Sequence, residues 1–183
     1  MKKDRLKWNR RHMQRPAAED PSKIVAEYAS LAEPGRALDI AAGLGKNALY
    51  LAQNGFTVEA VDISDAALAR YAHAHPNLFA VCADLDTFDI APGRYDLILN
   101  IRFLHRRLFH QIIDALAPGG MLIFETWIRH PEDPSQGPAC KDYLLRENEL
   151  LHAFLPLRIV HYRESHQVEG GRPALMASLV GIR

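Results

Sequence analysis

An apolar run, Ala37-Leu38-Asp39-Ile40, breaks into Ala41-Ala42-Gly43-Leu44-Gly45, and a helical pattern opens at once with Lys46-Asn47. Strand, tight loop and helix start in direct succession constrain this chain more than any other feature. A helix N-terminus offers main-chain N–H groups with no partner of their own, so such a junction brings a nucleoside ligand against bare backbone. Gly43 and Gly45 take positive φ at little cost and put no Cβ between main chain and ligand. Two glycines alone are a weak signal. Asp39 stands just ahead of them, and two more acids close later apolar runs, Asp62 after Phe56–Val61 and Asp84 after Leu78–Ala83.

Asp62 comes about twenty residues beyond the glycines, where a carboxylate accepts hydrogen bonds from ribose hydroxyls. Asp84 ends the third apolar run, within reach of an adenine amino group if the strands lie side by side. Any one of these acids reads equally well as a helix cap or a turn residue. All three in register with the glycines point to a ligand bound outside the carboxyl ends of a parallel sheet.

The rest of the chain supplies such a sheet. A polar, basic leader runs to Arg15, and Pro21-Ser22 opens a helix with Ile24, Val25, Tyr28 and Leu31 on one face before Pro34-Gly35 ends it. Strands are expected at 36–42, 57–62, 78–83, 95–101 and 121–127, with helices at 46–54, 65–74 and 105–117 between them. Asn54-Gly55 and Pro118-Gly119-Gly120 are expected as helix stops, glycine taking the left-handed cap. This βαβ alternation calls for parallel strands with right-handed crossovers. Beyond 127 the pattern changes. Pro131, Pro134, Gly137 and Pro138 predict a mobile loop over 128–140, followed by a helix at 146–154 and a hairpin of 157–164 and 174–182 turning at Gly170-Gly171.

Composition sets the outer limits. At 183 residues, 48% hydrophobic and 24% charged, the chain suits one soluble domain, divided as leader 1–20, core 21–127 and C-terminal part 128–183. No run of eighteen apolar residues suggests a membrane span, and the basic N-terminus has no signal-peptide core. Cys82 and Cys140 form neither a metal spacing nor a disulfide framework, which favours a reducing cytoplasm and no metal. Lys2, Lys3, Arg5, Lys7, Arg10, Arg11 and Arg15 crowd the first fifteen residues against Asp4 alone. Such a run serves nucleic acid in some proteins, but without an interleaved aromatic surface a solvated tail is the plainer reading. The sequence carries no sign of oligomeric state.

The order Leu38-Asp39-Ile40-Ala41-Ala42-Gly43-Leu44-Gly45, Val61-Asp62-Ile63-Ser64, Ala83-Asp84-Leu85 and Pro118-Gly119-Gly120 resembles the class I S-adenosylmethionine-dependent methyltransferases. Ala41 stands where the first glycine of that family's loop is expected. Asp39 through Ala52 is similar to the small tellurite-resistance-type branch. The resemblance implies a doubly wound seven-stranded α/β sheet of order 3-2-1-4-5-7-6, the seventh strand antiparallel. It also implies S-adenosyl-L-methionine as cofactor, held by Asp39, Ala41, Gly43, Gly45, Asp62, Ile63, Asp84, Leu85 and Asn100.

Methyl transfer from a sulfonium needs alignment and exclusion of water more than acid or base chemistry, so the lack of a triad or carboxylate pair does not count against an enzyme. Acceptor-positioning candidates are Arg102 and His105 after the fourth strand, with Arg106 and Arg107 on a solvated helix face. His12 is a third, in Trp8-Asn9-Arg10-Arg11-His12, which looks like the W-D-x-R-Y lid of the small methyltransferases. Glu125-Thr126-Trp127, with Arg129 and His130, and Lys141–Arg146 are placed around the same mouth. No inserted domain grips a macromolecule, so a small-molecule methyl acceptor is expected and nucleic acid disfavoured. Oxygen, nitrogen, sulfur and a chalcogen oxyanion all stay open as its acceptor atom. An RNA methyltransferase and a cofactor-binding regulator without turnover are the alternatives. A nucleotide-linked oxidoreductase fits less well, because Asp39 stands ahead of the glycines and a G-x-G-x-x-G loop would need glycine where Ala48 stands.

Overall fold

The computed structural model describes residues 2–16, 20–130, 133, 137–138, 140–169 and 171–183. Pro131, Pro134 and Gly170, singled out above, lie outside them. One seven-stranded sheet organises the chain, in the order β3-β2-β1-β4-β5-β7-β6. Its strands are β1 (Arg36–Ile40), β2 (Thr57–Asp62), β3 (Leu78–Cys82), β4 (Tyr95–Ile101), β5 (Leu116–Trp127), β6 (Arg158–Glu169) and β7 (Arg172–Ile182). β1 to β5 are parallel, and β7 runs antiparallel between β5 and β6. This is the order and the strand sense that the resemblance implies.

Among the described residues six α-helices accompany the sheet: α1 (Lys2–Met13), α2 (Lys23–Tyr28), α3 (Lys46–Gln53), α4 (Asp65–Leu68), α5 (Leu108–Ala115) and α6 (Glu149–Ala153). Two cores result, one on each face. Ala37, Leu97, Leu99 and Ile123 pack with Ile24 and Val25 of α2 and with Ala48 and Leu51 of α3. Leu38, Ile98, Leu122 and Phe124 pack with Phe109 and Ile112 of α5 and with Leu150 and Phe154 around α6. Apolar residues on both faces of β1 and β4 follow from a parallel sheet covered twice.

The register aligns the acids. Asp39 pairs with Leu99, Ile40 with both Val61 and Asn100, Asp62 with Cys82, and Ile101 with Glu125. Asp39, Asp62, Asn100 and Glu125 therefore collect along one edge, at the carboxyl ends of four strands.

Several elements differ from expectation. The leader is helical over Lys2–Met13, not merely polar. Arg10, Arg11 and His12 stand in its last turn, where a helix dipole favours positive charge, while Asp4 is set among Lys2, Lys3 and Arg5 at its start. Helix α4 is regular only to Leu68, and α5 spans 108–115 where 105–117 was expected. Pro118-Gly119-Gly120 is no helix stop. Leu116 already pairs with Tyr95, and the triplet forms an irregular stretch inside β5, with Gly119 at φ 80°. There Gly119 N–H donates to Arg183 O (3.1 Å) and Arg183 N–H to Gly120 O (3.0 Å), so contacts across the sheet replace the local cap.

Candidate active site

The glycine loop is left-handed at three alternate positions: Ala41 (φ 55°), Gly43 (56°) and Gly45 (76°). This turns the Gly43 N–H onto Asp62 Oδ2 at 2.8 Å, while Asp62 Oδ1 accepts from the Ser64 N–H, also at 2.8 Å. Asp62 thus fastens the loop after β1 to the loop after β2. Ala41 bears a conformation that costs an L-residue roughly 1–2 kcal/mol. Ala41→Gly relieves it, offset in part by a more flexible unfolded chain. The net gain is expected to be about 0.5–1 kcal/mol, a rise in Tm of roughly 1–4 °C. Calorimetric melting checks this. A lower Tm, or lost ligand binding, would show the loop's register to be misassigned.

Asp39 lies under the loop, only 1% exposed. Burial, then the charge of Asp62, pushes its carboxyl up to about 7, and the Ala48 main chain pulls the other way. Its Oδ2 has no hydrogen-bond partner. Tyr71, which the sequence reading missed, stands beside it. A Cβ at Gly45 would fall 2.6 Å from the Tyr71 ring, so glycine there makes room for that ring as well as a turn. The Tyr71 hydroxyl is buried without a partner, and burial, then Asp39 and Asp62, drive its pKa up.

Helix α1 covers this loop. His12 is 8% exposed, and its Cε1 lies 3.4 Å from where a Gly43 Cβ would be. Its ring stacks on Trp8 (5.6 Å), which lies under the Arg11 guanidinium (5.1 Å). Burial holds the imidazole below its usual pKa against the pull of Asp62, helped by Arg15, Arg11 and Arg70. His12 Nδ1 is a third buried atom without a partner. Asn9 latches the helix down: its Nδ2 donates to Asp65 Oδ1 (2.6 Å) and its Oδ1 accepts from the Ser64 hydroxyl (2.7 Å). Arg70 donates to the carbonyls of His12 (3.2 Å) and Arg15 (2.9 Å).

The remaining expected residues are spread along the same edge. Asp84 Oδ1 accepts the Asp86 N–H (3.0 Å), so it shapes its own turn, with Leu85 buried behind it. Ile63 is half-buried beside Asp62. Asn100 is buried at the end of β4 and donates to Phe103 O (2.7 Å). His105 Nε2 lies 3.3 Å from Asp86 Oδ1. Arg102 is left-handed (φ 60°), donates its main-chain N–H to Glu125 O (2.7 Å) and pairs its guanidinium with the Glu125 carboxylate.

Arg106 and Arg107 do not face solvent idly as expected. Arg106 grips both carboxylate oxygens of Glu149 (2.5 and 3.0 Å) and the carbonyls of Asp142 and Leu144 (3.0 Å each). This fixes the 142–149 segment beside the loop after β4. Arg107 holds the turn after β3 through Leu85 O (3.2 Å) and Phe88 O (2.7 Å). Trp127 is half-buried at the end of β5, where its carbonyl accepts from Leu145 N–H (2.9 Å). His130 accepts from the Asp133 N–H and faces His166 at 5.3 Å.

A family model described as a methyltransferase domain matches residues 10–166. YqeM of Bacillus subtilis, whose name places it among the methyltransferases, is 29% identical over 111 residues, 54% of this chain and 44% of YqeM. Of solved structures, TehB from Haemophilus influenzae superposes with a TM-score of 0.79 at 20% identity, covering 89% of this chain and 62% of TehB. The 1,6-didemethyltoxoflavin-N1-methyltransferase of Burkholderia thailandensis, with 1,6-didemethyltoxoflavin and S-adenosylhomocysteine bound, gives 0.65 at 19% identity over 87% of this chain and 76% of that one. The chain thus spans less than half of YqeM and under two thirds of TehB. At such identities the solved structures speak to the fold.

Proposed function

This chain belongs to the methyltransferase domain family, as a class I S-adenosylmethionine-dependent enzyme, and from that premise we propose that it methylates a small-molecule acceptor beneath α1. The observation that carries this reading is the latch of Asn9 and Arg70, which docks α1 across the glycine loop. A site roofed by the chain's own helix suits an acceptor that fits under the roof. The toxoflavin-precursor enzyme of the same fold gives the reading a parallel. The free thiols of Cys82 and Cys140 suit a reducing cytoplasm.

The unmatched atoms around the loop fit S-adenosyl-L-methionine. Asp39 Oδ2 is an acceptor for a cationic methionine end, and Asp62 has lone pairs left for ribose hydroxyls beside the two main-chain N–H groups it holds. The loop at Ala41, Gly43 and Gly45 offers bare main chain. Asp84, Ile63 and Leu85 would flank the adenine end, and an Asn100 oxygen, of side chain or main chain, would accept from the cofactor's amino group. When bound, the cofactor supplies a methyl group already activated by its sulfonium. The protein's share is alignment and exclusion of water. α1 and His12 close the top of the site, while His105 and Arg102 border the acceptor side.

Asp39 makes this binding pH-dependent. Its carboxyl is raised to about 7, so the ligand-free fold favours the proton, and this part of its stability is lost as pH rises from 4 through 7. A cationic ligand favours the carboxylate and must expel that proton. Affinity for S-adenosylmethionine should therefore climb as pH rises toward about 7, by at most about tenfold per unit, and level off above. Calorimetry between pH 5.5 and 8.5 checks it, with Asp39→Asn expected to flatten the curve.

Labelled S-adenosylmethionine offered with a metabolite panel and with cellular RNA tests the acceptor. Label in small products supports the reading; label in RNA alone replaces it with an RNA methyltransferase.

A further inference from the structure

We propose that the free edge of β3 is a dimer interface, where a second copy of this chain pairs antiparallel about Ala80 and joins two seven-stranded sheets into one. β3 ends the strand order, with β2 on one side and no strand on the other. Its bonds show which groups face outward. Val58 N–H donates to Asn77 O (2.8 Å) and Ala83 N–H to Asp62 O (3.0 Å), so residues 77, 79, 81 and 83 turn their main chain toward β2. Alternation along the strand then turns the N–H and C=O of Ala80 and Cys82, and the Leu78 carbonyl, away from the sheet. Among the described residues these groups have no hydrogen-bond partner.

β3 lacks the usual guard on such an edge. Natural edges carry charge, proline or a covering element. β6, at the far end of the sheet, holds Arg158, Arg163 and Glu164, whereas Leu78-Phe79-Ala80-Val81-Cys82 contains no charged residue and no proline. No helix lies over it on one face either. Phe79 pairs with Glu59 and Glu59 with Leu38, which puts its ring on the α5 face, and the chain runs from Cys82 to Tyr95 with no helix to cover it. Phe79 is left 52% exposed.

The occupant follows from symmetry. Two edges paired antiparallel about a twofold axis normal to the sheet bring residues of the same face together. Centred on Ala80, the pairing uses the whole of each strand, and any other centre uses less. The two Ala80 residues exchange their N–H···O bonds, and each Cys82 N–H meets the Leu78 carbonyl of the second copy, the pattern of an antiparallel ladder. Between these bonds Phe79 meets Val81 twice, an aromatic against a β-branched residue, the kind of cross-strand pair that stabilises a sheet. A foreign strand would need uncharged residues in the same order, which a second copy brings with it. The two ligand-binding edges then point in opposite directions, so the pairing closes neither site. A strand this short makes a small contact, below about 1,200 Å² in total, and hence a weak dimer.

Sedimentation velocity on the full chain should show a monomer–dimer equilibrium with a Kd of about 10–100 μM. Phe79→Lys/Val81→Lys sets lysine against lysine in this register and should raise Kd at least about tenfold. Phe79→Lys/Val81→Glu sets lysine against glutamate and should dimerise within about threefold of the parent chain. Phe79→Lys alone, at an exposed position, should raise Kd about threefold or more, so the test does not depend on Val81. Circular dichroism shows that each variant keeps its sheet. The mass of a single chain up to about 0.5 mM overturns the interface. An undiminished dimer in the doubled-lysine variant overturns it as well, and so does a lysine–glutamate variant that dissociates as readily as the doubled lysine.

Discussion

Asp62→Ala should weaken S-adenosylhomocysteine binding at least about 100-fold, roughly 3 kcal/mol, because it removes more than one contact. The carboxylate holds the Gly43 and Ser64 N–H groups in the unliganded chain. Its loss strands two donors and frees the left-handed loop that the ligand must meet, besides deleting the ribose partner. Asp62→Asn separates these effects, keeping oxygen at one position only and losing less. Titration calorimetry measures both, with circular dichroism to show that the sheet persists. Undiminished affinity in a folded Asp62→Ala protein would remove Asp62 from the site.

Deleting residues 1–15 should lower turnover roughly 100-fold while the sheet survives, an effect of the size that misalignment and water entry produce. α1 rests on α4 and its flanking turns through Asn9 and Arg70, so its removal opens the roof while the pairing of β1 to β7 stays in place. The cut also removes His12 from the face of the loop. Hydrogen exchange over Lys7–Met13 should slow when S-adenosylhomocysteine is added. Exchange that ignores the cofactor but responds to RNA in a salt-dependent way would make α1 an electrostatic arm.

Local pattern and spacing expose the strands, the glycine loop and the acids at the strand ends, since these follow from periodicity and turn chemistry. The strand order came with the family resemblance. What stayed hidden depends on partners far along the chain. Tyr71 matters only because Gly45 lies under its ring, and Arg106 because Glu149, 43 residues on, folds back to it. Gln167 reaches Glu125 across 42 residues. No local signal marks such pairs. Helix α1 was legible after all: no glycine or proline interrupts 2–13, and the cations of its last turn suit the dipole.

Placing β7 between β5 and β6 imposes an order of assembly on a growing chain. β6 is made first, yet among the described residues its main-chain pairing to the sheet runs through β7. Until β7 emerges, β5 presents the bare main-chain edge along which β7 pairs in the finished sheet. Such an open edge during synthesis invites pairing with other nascent chains. β7 is thus the strand that seals the sheet, and the interval before it arrives is when the edge of β5 stands open.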